Sequence, residues 1–397
     1  MAIINPNKLI NDIGVDKLNL NADKYYQNIN INSISSKPFS LPDAQHLFAE
    51  VSHLISGLSV LPEDNILDFG CGVGWLSRFI FSMGCNVHGI DVSQTAISRA
   101  KSLSSGWIKY FTNNCGVTSK LSYEHFDGHK IDFESNYFDH IVILDAFHHV
   151  PNQENILAEF YRVLKPGGKI GFCEPGPSHS ESSSAQLEMS LHNVLENDID
   201  INKIWEKSKK VGFTKIELFL SPLIGKLVSI DDYLNFPSNH ETSSNYLSEI
   251  KWRSVNYPIF FLSKAGRKLS DSRRSDNLCA EITLEKFKSS YVCKSNENLF
   301  LNLIAVNKGS SVWLPSGSTN GSVNIGIVVT EKNKKTRNYR ASLSETKILP
   351  DDHVKSTFEI PKLHNGVYQI EINLVSEYVC WFSESGCESI NFELHVL

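Results

Sequence analysis

Three glycines stand at alternate positions in Asn65-Ile-Leu-Asp-Phe-Gly-Cys-Gly-Val-Gly-Trp75, directly after an apolar run and before a stretch with helical spacing. Glycine lets the chain turn tightly and lets a ligand lie against bare N–H groups at a helix N-terminus. A dinucleotide site asks for Gly-x-Gly-x-x-Gly; here the sixth position is Trp75 and the third glycine comes one residue early, which disfavours a nicotinamide cofactor. Asp91 closes the next apolar run, 21 residues beyond Gly70. A carboxylate at that strand end can accept hydrogen bonds from both hydroxyls of a ribose. Groups able to move a proton follow two later runs: Asp145, His148 and His149 after one, Glu174 and His179 after the other. Histidine suits such work near neutral pH. No His-x-x-x-His spacing or carboxylate cluster marks a metal site, so no metal is expected.

These residues need rigid elements behind them. From residue 61 to 268, short apolar runs alternate with helical stretches, the pattern of βαβ units on a parallel sheet. The expected strands are Asn65–Phe69, Asn86–Asp91, Leu121–Phe126, His140–Leu144 and Lys169–Glu174, with Lys215–Leu220 and Ile259–Lys264 as an edge hairpin. Lys165-Pro-Gly-Gly168 reads as a helix stop before a strand. Residues 1–60 are polar and Asn-rich and turn helical around Leu41–Ser59, forming an N-terminal cap segment. Residues 269–278, with Ser270-Asp-Ser-Arg-Arg-Ser-Asp276, carry no apolar periodicity and read as a linker. Residues 279–397 hold about eight short runs rich in Val, Ile, Tyr and Phe between Gly, Asn, Pro and Ser turns, which describes an all-β antiparallel sandwich.

Composition narrows the function classes. The 397 residues carry a formal net charge of -6, a mildly acidic balance that demotes nucleic acid as a partner. No stretch has the length or apolarity of a membrane span or secretion signal. The eight cysteines are scattered without a Cys-x-x-Cys pair, which suits thiols in a reducing cytoplasm, although the Cys380/Cys387 spacing would allow a hairpin bridge.

The Asp68-x-Gly70-x-Gly72-x-Gly74 run resembles motif I of the class I S-adenosylmethionine (SAM) methyltransferases, a Rossmann-like fold with seven strands. Gly89-Ile-Asp-Val-Ser93, Asp127-Gly-His-Lys-Ile-Asp-Phe133, Tyr137–Val150 and Glu159–Gly168 resemble later elements of that family, in the same order. The Asp127–Phe133 element is the looser match, since Asp132 and His129 depart from the family pattern. The resemblance implies SAM as cofactor, a loop of Asp68, Gly70, Cys71, Gly72 and Gly74 around its methionine carboxylate and ribose, and Asp91 on the ribose hydroxyls. It implies Val92 over one adenine face, Asp127 and the Gly128 amide at the adenine edge, and Leu144 beside them. An N-terminal segment is expected to fold over the cofactor, with Tyr25 or Tyr26 reaching the carboxylate.

An alcohol acceptor needs a base. His148 or His149 is the first expectation, with Asp145 beside them, and Glu174 and His179 on acceptor hydroxyls. The C-terminal runs, with Trp313 and Val379-Cys-Trp-Phe382, resemble the β-sandwich domain of O-antigen ABC transporters, and Cys173–Ser180 resembles a loop of methyltransferases of surface-glycan assembly. This implies a cytoplasmic methyltransferase acting on a sugar hydroxyl of a surface polysaccharide or its precursor. Two other readings stay open: a small lipophilic or secondary metabolite as acceptor with the sandwich serving homodimer assembly, and an inactive glycan-binding adaptor. Trp313 and Trp381 either stack on sugar rings or fill the sandwich interior.

Overall fold

The computed structural model describes residues 3–29, 36–39, 44–220, 230, 240–266, 268–295, 297–318, 320–331 and 336–397. The chain divides into two compact units, Met1–Arg267 and Lys268–Leu397.

In the first unit, strands β1 (Asn65–Phe69), β2 (Asn86–Asp91), β3 (Leu121–His125), β4 (Phe138–Leu144), β5 (Leu164–Cys173), β6 (Phe213–Leu218) and β7 (Ile259–Lys264) form one sheet in the order β3-β2-β1-β4-β5-β7-β6. The first five run parallel and β7 runs antiparallel to both neighbours. Strand order reverses between β1 and β4, and open α/β sheets bind ligands beyond the strand carboxyl ends at that point. Alternation along each strand supplies two cores. Leu67, Phe69, Ile141 and Ile143 pack on Ile156, Leu157 and Phe160 of α6 (Gln153–Val163) and Ile204 of α8 (Ile201–Val211). Ile66, Val87 and Val142 pack on Leu54 and Leu58 of α3 (Ala44–Leu58) and Ile80 and Phe81 of α4 (Trp75–Ser82). The remaining helices are α1 (Pro6–Ile13), α2 (Val15–Asn28), α5 (Gln94–Cys115), α7 (Ser183–His192) and α9 (His240–Asn256).

Several expectations shift. The polar N-terminal stretch forms α1 and α2, divided at Gly14, where φ is +84°. Of the helix expected around Leu41–Ser59, residues 41–43 lie outside the described residues. Lys165–Gly168 is not a turn before β5 but part of it: α6 ends at Val163, and Leu164 already pairs with Phe138 across a register shift.

The second unit stacks two sheets. One is β13 (His353–Ile360), β10 (Leu299–Asn307) and β8 (Ala280–Leu284); the other runs β12 (Arg337–Ser342), β11 (Val323–Glu331), β14 (Gly366–Ser376), β16 (Ile390–Val396) and β9 (Ser290–Cys293), with β15 (Cys380–Trp381) on β14. The sandwich is antiparallel except at β9, which pairs parallel to β16. At four residues, Ser290-Tyr-Val-Cys293, β9 is too short to show a period in the sequence. Tyr378–Phe382, expected as a strand, yields only the two residues of β15 before a 3-10 turn. The Ser270–Asp276 stretch is no free linker. Ser272 is fully buried, its hydroxyl donating to the Gly321 carbonyl at 2.6 Å and accepting the Leu314 amide at 2.9 Å. Backbone hydrogen bonds hold this segment, so its apolar pattern carried no signal. Trp313 is fully buried against Phe382, which removes it as a sugar platform. All eight cysteines are free, Cys380 and Cys387 included. Among the described residues, no helix is long and apolar enough to cross a membrane.

The β5–β7 pair rests on stacked rings: Phe172 and Phe260 lie 4.5 Å apart with 5° between their planes, both fully buried. Phe172→Ala is expected to cost about 3–5 kcal/mol, read as a lower urea midpoint. An unchanged midpoint would contradict this packing.

Candidate functional site

The glycine loop wraps the end of β2. The Gly70 and Cys71 amides both donate to the Ile90 carbonyl, at 2.9 and 3.0 Å, and Gly74 caps α4 in the left-handed region at φ +75°. At Gly70, φ is +68° and a Cβ would fall 2.4 Å from the Ala146 Cβ, so only glycine fits. The Gly72 amide donates to Asp91 Oδ2 at 2.9 Å, and the Ser93 amide to Oδ1 at 2.8 Å. A carboxylate offers about four lone-pair sites, so two remain. Burial raises the Asp91 carboxyl above its ordinary range. Asp68 sits behind the loop, almost wholly buried, and accepts the Ser77 hydroxyl of α4. It fastens the helix to β1 and does not reach the cavity, a correction to its expected ligand role.

Beyond the strand ends lies a cavity of about 230 Å³, lined by Gly70, Asp91, Val92, Gly128, Asp145 and His149 among others. Helix α2 forms its roof and contributes Asn19, Tyr25 and Tyr26. The roof is tied down by polar contacts: Asp23 accepts the Ser93 hydroxyl at 2.7 Å and the Thr95 amide at 2.9 Å, capping α5. A Cβ at Gly72 would lie 2.8 Å from the Tyr26 hydroxyl, which places that hydroxyl against the loop. Burial, then the Asp91 charge, pushes the Tyr26 phenol well up. The Asn19 side-chain nitrogen is buried with no hydrogen-bond partner among the described residues, and a Cβ at Gly128 would fall 1.9 Å from it. An orphaned donor, a loop only glycine can form and a carboxylate with free lone pairs fit a sulfonium nucleoside. Asn19 carried no signal in the sequence, because its role depends on where α2 lies. Asp127 is a second correction. Its carboxylate accepts the His129 and Lys130 amides at 2.7 and 2.9 Å, closing its own turn, while Gly128 alone faces the cavity. Cys71 and Leu144 pack behind the walls.

At the ends of β4 and β5 a denser network forms. Glu174 is 1% exposed and accepts the amides of Ala146, Phe147 and His148 at 3.0, 2.8 and 3.2 Å. It also meets His148 Nδ1 at 2.7 Å. Burial raises its carboxyl to about 7. With its oxygens filled by protein donors, Glu174 clamps the 3-10 turn Phe147–His149 and is no acceptor ligand, contrary to expectation. His148 is likewise buried and driven well below its ordinary value by burial and by His149. It is not among the residues lining the cavity, which removes it as the base the sequence suggested. His149 lines the cavity, its Nδ1 2.7 Å from the Leu195 carbonyl. His179 does not line it; its Nε2 lies 2.8 Å from Glu196 Oε2. Glu196, unseen in the sequence, lines the cavity, and its ligand atoms fall with those of His148 and His149 within 4.8 Å of one another. It arrives from 47 residues beyond His149, so no local spacing announced it. Asp145 occupies the left-handed region at φ +51°, with its side chain facing the cavity. Asp145 keeps accessible surface on the cavity side, while the desolvation imposed by the surrounding walls and then the Glu174 charge raise its carboxyl to about 6.

Residues 67–172 match the methyltransferase domain family. Sterol 24-C-methyltransferase of Kluyveromyces lactis is 30% identical over 164 residues, 39% of this chain and 41% of that protein. The protein of the same name from Clavispora lusitaniae is 34% identical over 253 residues, 60% of this chain and 61% of that one. Phosphoethanolamine N-methyltransferase 2 of Caenorhabditis elegans is 29% identical over 167 residues, 39% and 34% of the two chains. The chain thus spans less than half the length of the first and last of these relatives. Among solved structures, an S-adenosylmethionine-dependent methyltransferase from Mesorhizobium loti aligns with a TM-score of 0.39 and 18% identity, over 54% of this chain and 98% of that one. Phosphoethanolamine N-methyltransferase 2 of Haemonchus contortus, in complex with phosphomonomethylethanolamine and S-adenosylhomocysteine, aligns at 0.39 and 21%, over 55% and 52%. Over residues 67–172 the chain is thus similar to the methyltransferase domain family, and the same stretch carries the parallel strands β1 to β5 of the sheet.

Asp68 gives a pH test with a definite sign. Burial raises its carboxyl from 3.8 to about 7. Between those values the unfolded chain has released a proton that the folded chain keeps, so stability falls as pH rises through the window. Asp68→Asn keeps an acceptor for Ser77 and is expected to flatten that fall, measured by urea unfolding from pH 4 to pH 8 (about the span of the two values). Equal slopes in both proteins would contradict the assignment.

Proposed function

We propose that this chain is a SAM-dependent methyltransferase that methylates a hydroxyl of an uncharged acceptor, a sugar of a surface polysaccharide or of its precursor. The observation that carries the reading is the Asp91 carboxylate, bound by the glycine-loop amide and still open toward a cavity roofed by α2. Asp91 would hold the ribose hydroxyls, the Asn19 amide and Gly128 backbone the base edge, Val92 one face of the base, and Tyr26 the loop side. When bound, SAM supplies an electrophilic methyl on a sulfonium centre. The chain's own part is to align the acceptor oxygen and take its proton.

Asp145 is the proposed base. Its carboxyl faces the cavity from the end of β4, and with a value near 6 it is mostly ionised at neutral pH yet able to hold a proton. Charge supports an acceptor without anionic groups. Asp91, Asp145, Glu188 and Glu196 line the cavity, and no lysine or arginine is among the described lining residues. A second reading, a lipophilic acceptor, is supported by the apolar walls Leu18, Phe69, Val150 and Val194 and by the names of the sterol relatives. The β-sandwich is proposed to serve glycan recognition or homodimer assembly. Trp381, half-buried under the Arg340 guanidinium at 4.6 Å, is the ring still within reach of solvent. The free cysteines support a cytoplasmic setting.

The test is turnover of labelled SAM by the full chain, with lipid-linked sugars in one arm and sterols in the other. Turnover is expected with the sugars, rising with pH through about 6 as Asp145 ionises. Asp145→Asn is expected to lose about 10²–10⁴-fold in turnover with SAM affinity kept. Full activity in Asp145→Asn would remove the base assignment, and turnover with sterols alone would replace the sugar.

A further inference from the structure

The network around His148 contains a mismatch of electron pairs. Three backbone amides donate to Glu174; as a carboxylate it only accepts, and the 2.7 Å contact at His148 Nδ1 is in that form a donation from the ring. The other ring nitrogen, Nε2, is then a lone pair, and it lies 3.5 Å from Glu196 Oε2, another electron-pair donor to any cation. Both residues are buried, at 5% and 6% exposure. His149 repeats the pattern. Its Nδ1 meets a carbonyl oxygen, which only accepts, so its Nε2 also carries a lone pair, on a ring 3.9 Å from that of His148. Ligand atoms of His148, His149 and Glu196 lie within 4.8 Å of one another.

Each of the three has an outer partner of the kind that orients metal ligands: Glu174 behind His148, the Leu195 carbonyl behind His149, and His179 on Glu196. Two imidazoles and one carboxylate suit a borderline divalent transition metal better than magnesium or calcium, which favour oxygen. His149 and Glu196 both line the cavity, so coordination positions would open onto it, as in catalytic metal sites.

We infer that His148, His149 and Glu196, each through one ring nitrogen or carboxylate oxygen, form a binding site for one divalent transition-metal ion, such as zinc or manganese, in the wall of the cavity. The ion binds through these three residues whatever the reaction. Its use, to fix an acceptor oxygen near Asp145, rests on the methyl-transfer reading.

The probe is Co²⁺ added to the chelator-treated full chain, followed by visible d–d absorption and by calorimetry, with SAM affinity measured on the same samples. One Co²⁺ per chain with nitrogen–oxygen ligation is expected. Glu196→Gln and His148→Ala are expected to lose the stoichiometric spectrum while keeping the wild-type circular dichroism. Glu174→Gln, which weakens the partner of His148 Nδ1 and keeps an acceptor oxygen for the turn amides, is expected to weaken binding about 10–100-fold. No stoichiometric Co²⁺ in folded protein, a thiolate charge-transfer band, or an unchanged spectrum in Glu196→Gln would each overturn the site. A variant that unfolds is replaced by His149→Ala, judged by the same spectrum. Co²⁺ binding without SAM affinity would leave the site standing and remove the proposed function; SAM affinity without Co²⁺ would do the reverse.

Discussion

The contact on which the first unit turns is the pair of hydrogen bonds that bring the Gly72 and Ser93 amides onto the Asp91 carboxylate. It joins the tip of β2 to the loop leaving β1, so two neighbouring strand ends become one rigid surface. Only glycines can make that loop, because its backbone enters the left-handed region at three alternate positions. The arrangement holds a buried charge with two amides and leaves lone pairs toward the cavity. Burying such a carboxylate is costly without partners, and the bonds offset that cost.

The rest of the site is layered on this surface. Helix α2 lies above it and is fastened through Asp23 to the start of α5, just past Asp91. Below the neighbouring strand ends, Glu174 gathers three amides and sets the turn that presents His148 inward and His149 outward. The same turn leaves Asp145 in a strained backbone conformation facing the cavity, an arrangement that recurs at functional sites.

How far the sequence speaks depends on the range of the interaction. The glycine loop, Asp91 and the strand alternation are local patterns, and they located the sheet and one wall of the cavity. Asp68 looked like part of that pattern because it adjoins it, yet its side chain points to α4. Tyr26 and Asn19 illustrate the limit. The tyrosine was expected through a resemblance, whereas the asparagine matters only because α2 crosses above Gly128. Glu196 is the plainest case, since its partners His148 and His149 lie far upstream and only the fold joins them. In the sandwich, the Ser270–Asp276 segment is held by main-chain bonds and the Ser272 hydroxyl, and β9 by main-chain pairing, so both left little trace in apolar pattern.

The most direct measurement is calorimetric titration of the purified full chain with SAM and with S-adenosylhomocysteine, beside Asp91→Ala. Saturable binding of one ligand per chain, abolished in the folded variant, is the result that follows from the carboxylate at the end of β2. Absence of binding by the folded native chain, or undiminished binding by Asp91→Ala, would contradict it.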